Sequence, residues 1–194
     1  MKKHNDPIVI DEILLSGTIP GMLISAKSLI ILDDNNSKAN QHTYHAGSAI
    51  SIAMIVCHSA ELLLKYKIQS EGKVVKKGHN LYRYFDILEA KSISEIEKIF
   101  KNETPQDILR PGLTDVKSIF IDHQNAFNEW RYDFATHEGP RDPDRIVGIC
   151  PALLYNATLS VYRSTDIYPT GSNIFSLGSH LHSRRLSFGS KLPS

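Results

Sequence analysis

Thr43–Gly72 reads TYHAGSAISIAMIVCHSAELLLKYKIQSEG, and this stretch decides the fold. Ala46, Ala49, Ile50, Ala53, Cys57, Ala60, Leu64 and Ile68 recur at helical spacing and form one apolar stripe, which Met54, Val56 and Leu63 broaden. Ala, Leu, Lys and Glu fill its second half, so intrinsic propensity agrees with the pattern. Glu61 and Lys65 stand four apart in the order that favours an ion pair along a helix. Gly72 supplies a natural stop. The spacing predicts one long helix whose small residues let a neighbour approach closely. A break near Ser59 would instead mark an unrelated helical scaffold.

Outward from this helix the chain stays helical in pattern. Upstream, Met22, Leu23, Ala26, Leu29 and Ile30 predict a helix from Gly21 that stops in Asp33-Asp34-Asn35-Asn36, residues that favour turns. Residues 1–20, punctuated by Pro7 and Pro20, read as an irregular entry. Downstream of the basic link Lys73–Gly78, His79 or Asn80 caps a helix that turns Leu81, Tyr84, Phe85 and Leu88 inward. Ser92 with Glu95, or Ser94 with Glu97, fits a reciprocal cap for the next helix, whose inner face is Ile93, Ile96, Ile99 and Phe100. Glu103–Gly112 is a loop. Val116, Ile119, Phe120, His123, Phe127, Trp130 and Phe134 then predict a second long helix ended by Gly139-Pro140. A last helix starts near Pro151 and carries Leu153, Leu154, Ala157 and Val161. Residues 171–194 hold seven serines and three glycines with scattered apolar residues, a composition that cannot offset the entropy of ordering. The expected architecture is all-α, an up-and-down bundle of four to six helices over residues 21–168, with a disordered basic tail over 169–194.

Composition narrows the function. A chain of 194 residues with 41% hydrophobic and 22% charged residues suits one globular domain. Its 22 basic and 21 acidic residues leave a net charge of +1, so no global field draws it onto nucleic acid or an anionic membrane. Cys57 and Cys150 have neither zinc nor disulfide-framework spacing and read as core thiols of a reducing compartment. The most apolar run, Ala46–Cys57, is too short to span a bilayer. No secretory signal stands out, and the reading is a cytoplasmic protein that does not enter membranes.

Four segments in order carry a family resemblance: Tyr44-His45-Ala46-Gly47, Ser59-Ala60-Glu61-Leu62-Leu63-Leu64-Lys65, Gly78-His79-Asn80-Leu81 and Phe127-Asn128-Glu129-Trp130-Arg131-Tyr132. Over roughly Gly21–Tyr162 the chain resembles HEPN domains (higher eukaryotes and prokaryotes nucleotide-binding). The resemblance implies a helical bundle that pairs as a homodimer. It also implies metal-independent RNA cleavage of the toxin–antitoxin or anti-phage type, with RNA as substrate and an antitoxin or nucleotidyltransferase as partner. Members that cleave RNA carry an arginine, four to six residues, then a histidine; Arg131-Tyr132-Asp133-Phe134-Ala135-Thr136-His137 has that form with five. Catalytic members usually place Asn, Asp or His after the arginine, where this chain has Tyr132. Other members have lost the catalytic pair and serve in dimerisation, nucleotide binding or partner-protein binding.

The residue types suit the chemistry. Histidine moves protons near neutral pH, and the arginine fork matches phosphate oxygens and stabilises developing charge. The RNA 2′-hydroxyl supplies the nucleophile, so neither a metal nor a cofactor is called for. Six helical positions amount to about 600° of rotation, leaving Arg131 and His137 about 120° apart on a regular helix. Either the helix unwinds, or a two-fold dimer gathers both pairs around one groove. Simpler roles compete. His137 can serve the last turn of its helix, and Arg131 can stack on Trp130 and Tyr132 or pair with Asp133 or Glu129. Glu61 and Lys65 can form a salt bridge within the bundle, or Glu61 can meet Arg131.

Overall fold

The computed structural model describes residues 10, 14–37, 42–125 and 151–165. Six α-helices and no strand occur among the described residues, the all-α architecture that the hydrophobic pattern predicts. They are α1 (Ile19–Ser37), α2 (His42–Ser70), α3 (Leu81–Asp86), α4 (Ala90–Glu103), α5 (Val116–Asp122) and α6 (Pro151–Arg163). None is long and apolar enough to cross a membrane.

The predicted long helix is α2, and it runs unbroken past Ser59, whose hydroxyl donates to the Ile55 carbonyl at 2.8 Å. Its end follows from Gly72. With φ at 71°, Gly72 lets its own N–H reach the Gln69 carbonyl and the Lys73 N–H reach that of Ile68. This pair of bonds satisfies carbonyls that the helix end would otherwise leave open. Ile52, Ala53, Val56, Cys57, Ala60, Leu63, Leu64 and Ile68 are buried along α2. α1 and α6 make its most extensive contacts, with α3 also against it. α3 and α5 join edge to face through Phe85 and Phe120, ring centroids 5.5 Å apart. Leu153, Leu154, Ala157 and Val161 face inward from α6, as their spacing predicts.

Several local expectations are corrected. The irregular entry is helical in its last part: a π-helical turn at Leu14–Thr18 runs into α1. Pro20 is the second residue of α1, and α1 continues through Asp33–Asn36 to Ser37. The cap of α3 is Asn80, whose Oδ1 accepts the Arg83 N–H at 2.8 Å, and not His79. Helix α4 starts at Ala90, ahead of both Ser92 and Ser94. Its first turn is held from outside by Glu71, whose Oε2 accepts the Glu89 N–H at 3.0 Å, so no local serine cap is needed. The second long helix stops at Asp122, with His123 as its C-cap. There the Gln124 carbonyl accepts the Leu81 N–H at 3.1 Å and the Asn80 amide reaches Gln124 Oε1 at 3.2 Å. Backbone and side chain are thereby drawn to α3 rather than into another helical turn. The continuation through Phe127, Trp130 and Phe134 lies outside the described residues, as do Cys150 and the tail.

Candidate functional site

The C-terminal half of α2 brings Glu61 into the core, 3% exposed, and places Lys65 one turn later at 6%. A buried carboxylate is costly unless its oxygens are occupied, and here both are. Lys65 donates to Oε1, and His79 Nδ1 lies 2.9 Å from Oε2. Lys65 also donates to the Gly78 carbonyl at 3.2 Å and sits over the Tyr84 ring, 5.1 Å from its centroid. Tyr84 closes the cluster by donating to the same Gly78 carbonyl at 2.6 Å. Gly78 has φ at 143°, a conformation that L side chains rarely adopt. The sequence Gly78-His79-Asn80 thus performs three tasks in a row: it bends, grips Glu61 and caps α3.

The Glu61 charge shapes its surroundings. Burial, with that charge second, pushes the Cys57 thiol up to about 12 and the Tyr84 hydroxyl up to about 12, the latter partly opposed by Arg83. Burial holds the His58 imidazole below its ordinary value; Glu61 opposes this, while Lys65 and His79 add to it. Cys57 and Tyr84 therefore stay protonated and are poor nucleophiles near neutral pH. His79, with a side chain 43% exposed, is the member of the Glu61–Lys65–His79 set that reaches solvent. The arrangement fastens the end of α2 to the start of α3.

Two other carboxylates act across the chain in the same way. Glu97 accepts the Val116 and Lys117 N–H groups at 3.2 and 3.1 Å, supporting the start of α5 beside the reciprocal Asp115–Ser118 cap. Burial raises the Glu97 carboxyl, those two N–H groups oppose the shift, and Asp115 adds to it. Burial would also raise Glu71, but bonds from Lys73, Ser92 and the Glu89 N–H outweigh it and hold the carboxyl low. Neither role has a local sequence signal, because each carboxylate serves a helix other than its own. In the last turn of α2, Lys67 donates to the Ser164 carbonyl, just past the close of α6.

Of the predicted site residues, Glu61, Lys65 and His79 are brought together, and the bundle salt bridge expected of the first two is present. The pairing considered between Glu61 and Arg131 lies outside the described residues. Arg131, Tyr132, Asp133 and His137 lie outside the described residues. Among the described residues no group of three His, Cys, Asp or Glu side chains is placed to hold a metal ion. No family model, curated protein or solved structure matches the chain.

Proposed function

We propose that this chain is a HEPN-type, metal-independent ribonuclease that works as a homodimer, with Arg131 and His137 as its catalytic pair. The supporting observation is the meeting of two of the resembling segments around one carboxylate. The Glu61–Lys65 end of α2 and the Gly78-His79 start of α3 form a single buried polar cluster. That cluster ties the end of one resembling segment to the start of the next within one bundle. It is a scaffold feature, and the chemistry is assigned to the Arg131–His137 segment.

In this reading the 2′-oxygen attacks the adjacent phosphorus and the bond to the 5′-oxygen breaks. The 2′-hydroxyl proton is removed and the departing 5′-oxygen is protonated, with His137 of one or both subunits moving the protons. The Arg131 guanidinium neutralises the equatorial oxygens. The products are a 2′,3′-cyclic phosphate and a 5′-hydroxyl. Purified protein is expected to cleave RNA in EDTA, with His137→Ala and Arg131→Ala each lowering the rate by about a hundredfold or more. Equal activity in both variants would sink the assignment.

A second reading is a non-catalytic HEPN module for dimerisation, nucleotide binding or partner-protein binding. Tyr132, standing where catalytic members carry a polar residue, favours it. Under that reading RNA stays intact and His137→Ala leaves association unchanged.

A further inference from the structure

Helix α4 carries two lysines whose partners along the helix are engaged elsewhere. Lys101 follows Glu97 by four positions, the order that favours an ion pair, but both Glu97 oxygens accept N–H groups of α5. Glu95, three positions before Lys98, stands near Lys67 instead, at 3.7 Å. Lys98 and Lys101 are exposed and form no salt bridge among the described residues. Both line an open cavity of about 600 Å³, bounded by α4 on one side and by residues 104–115 on the other. That volume suits a small molecule.

A second observation concerns the same space. Thr104, the C-cap of α4, also lines the cavity. Its side chain is buried, the residue being 5% exposed, and its Oγ1 has no hydrogen-bond partner among the described residues. Folded chains seldom leave a buried hydroxyl in that state. The other side of the cavity is acidic. Asp115 lines it just before α5. Its Oδ1 accepts the Ser118 N–H at 2.7 Å, and its second oxygen is able to accept a further donor. Leu109 adds an apolar wall.

We infer that this cavity binds a small phosphate monoester with a hydroxylated body, a sugar or polyol phosphate. A phosphate monoester carries a charge of about −1.5 to −2 near neutral pH, which two lysines match and a single carboxylate does not. The Thr104 hydroxyl donates to a phosphate oxygen and so gains the partner it lacks. Hydroxyl groups at the far end of the ligand donate to Asp115, while the carbon skeleton packs on Leu109. A bare anion would leave Asp115 facing it with no donor between them, and a cation would meet the lysines. The Glu97 charge, also in the lining, is answered by the α5 amides. No residue of the proposed catalytic pair takes part, so the inference stands apart from the ribonuclease reading.

Titration calorimetry and thermal shift on the full chain test it, with circular dichroism as the check on folding. The probes are glucose 6-phosphate, mannitol 1-phosphate and glycerol 3-phosphate, set against gluconate, glucose and inorganic phosphate. At least one of the esters is expected to bind, with each of the three comparison compounds about tenfold weaker or more. Lys98→Gln and Lys101→Gln should each weaken that ester about tenfold or more, while Lys91→Gln, on α4 but outside the cavity, should leave it unchanged. Thr104→Val separates binding from folding. It removes a hydroxyl that has no partner in the chain, so the thermal midpoint without ligand should hold or rise while affinity for the ester falls. No binding of any of the three esters would overturn the inference. So would binding that survives both lysine changes, or gluconate or inorganic phosphate binding as tightly as the best ester. A 5′-phosphorylated oligoribonucleotide that binds through Lys98 and Lys101 while the free esters do not would overturn it as well.

Discussion

Glu61 shows how one residue can look functional in sequence while its described contacts hold the fold together. Its carboxylate is enclosed with Lys65 and gripped by His79, so removing one partner strands the other in the core. Glu61→Ala is expected to cost about 3–5 kcal/mol of stability, measured by urea unfolding. The double change Glu61→Leu with Lys65→Met should recover most of that loss, because a matched apolar pair leaves no buried charge behind. Cys57 yields a second expectation at this scale. With burial holding its thiol up near 12, a Cys150→Ser chain should resist a thiol-specific chromogenic reagent at about pH 8 and react fully once unfolded.

Helix starts are where carboxylates and amides act at a distance. Asn80→Ala should cost about 1 kcal/mol by loss of the α3 cap. Glu71 and Glu97 make opposite contributions to acid stability. Glu71 has a carboxyl held low in the folded chain. Its contribution is complete above the ordinary carboxylate range and disappears as pH falls through the folded value. Glu97 has a carboxyl held high, so its ionised form costs stability above the folded value and acid relieves that cost. Thermal unfolding between about pH 7 and pH 3 should therefore show a flatter acid limb in Glu71→Gln and a steeper one in Glu97→Gln. These caps also explain which boundaries could be read in advance. The stripe on α2, the Gly72 stop and the Pro151 start depend on residues within a turn of one another, and they were legible. The start of α4 depends on Glu71 across a connection, and the end of α5 on Asn80 and Leu81 of α3. The local Ser-Glu spacing at Ser92 and Ser94 pointed elsewhere because Glu95 lies near Lys67, at 3.7 Å, and Glu97 serves α5.

At the scale of the whole molecule, buried residues of all six described helices join a single apolar cluster. No helix has a separate core to retain, so far-ultraviolet and near-ultraviolet signals are expected to fall together in denaturant. Leu64→Ala, at the centre of that cluster, should lower stability by about 2–5 kcal/mol and shift both signals equally. The bundle class was readable because apolar periodicity is a property of each segment alone. The convergence of Glu61, Lys65, His79 and Tyr84 was not, since it depends on where the chain turns at Gly78. The inward Lys27 of α1, 8% exposed, was likewise hidden, because composition reports that a charge is present and not which way it faces.

The contact between α2 and α6 also has a consequence for synthesis. Helix α2 is complete at Ser70, whereas α6 begins at Pro151. At roughly 5–20 residues per second, the ribosome needs on the order of 4–16 s to make the intervening chain. Throughout that interval the nascent protein carries the part of the α2 stripe that α6 later covers, and α1 can shield only its own side. Closure, including the grip of Lys67 on the Ser164 carbonyl, waits for the last described helix to emerge. The apolar surface that makes the bundle legible is therefore also the surface on which a nascent-chain chaperone would act.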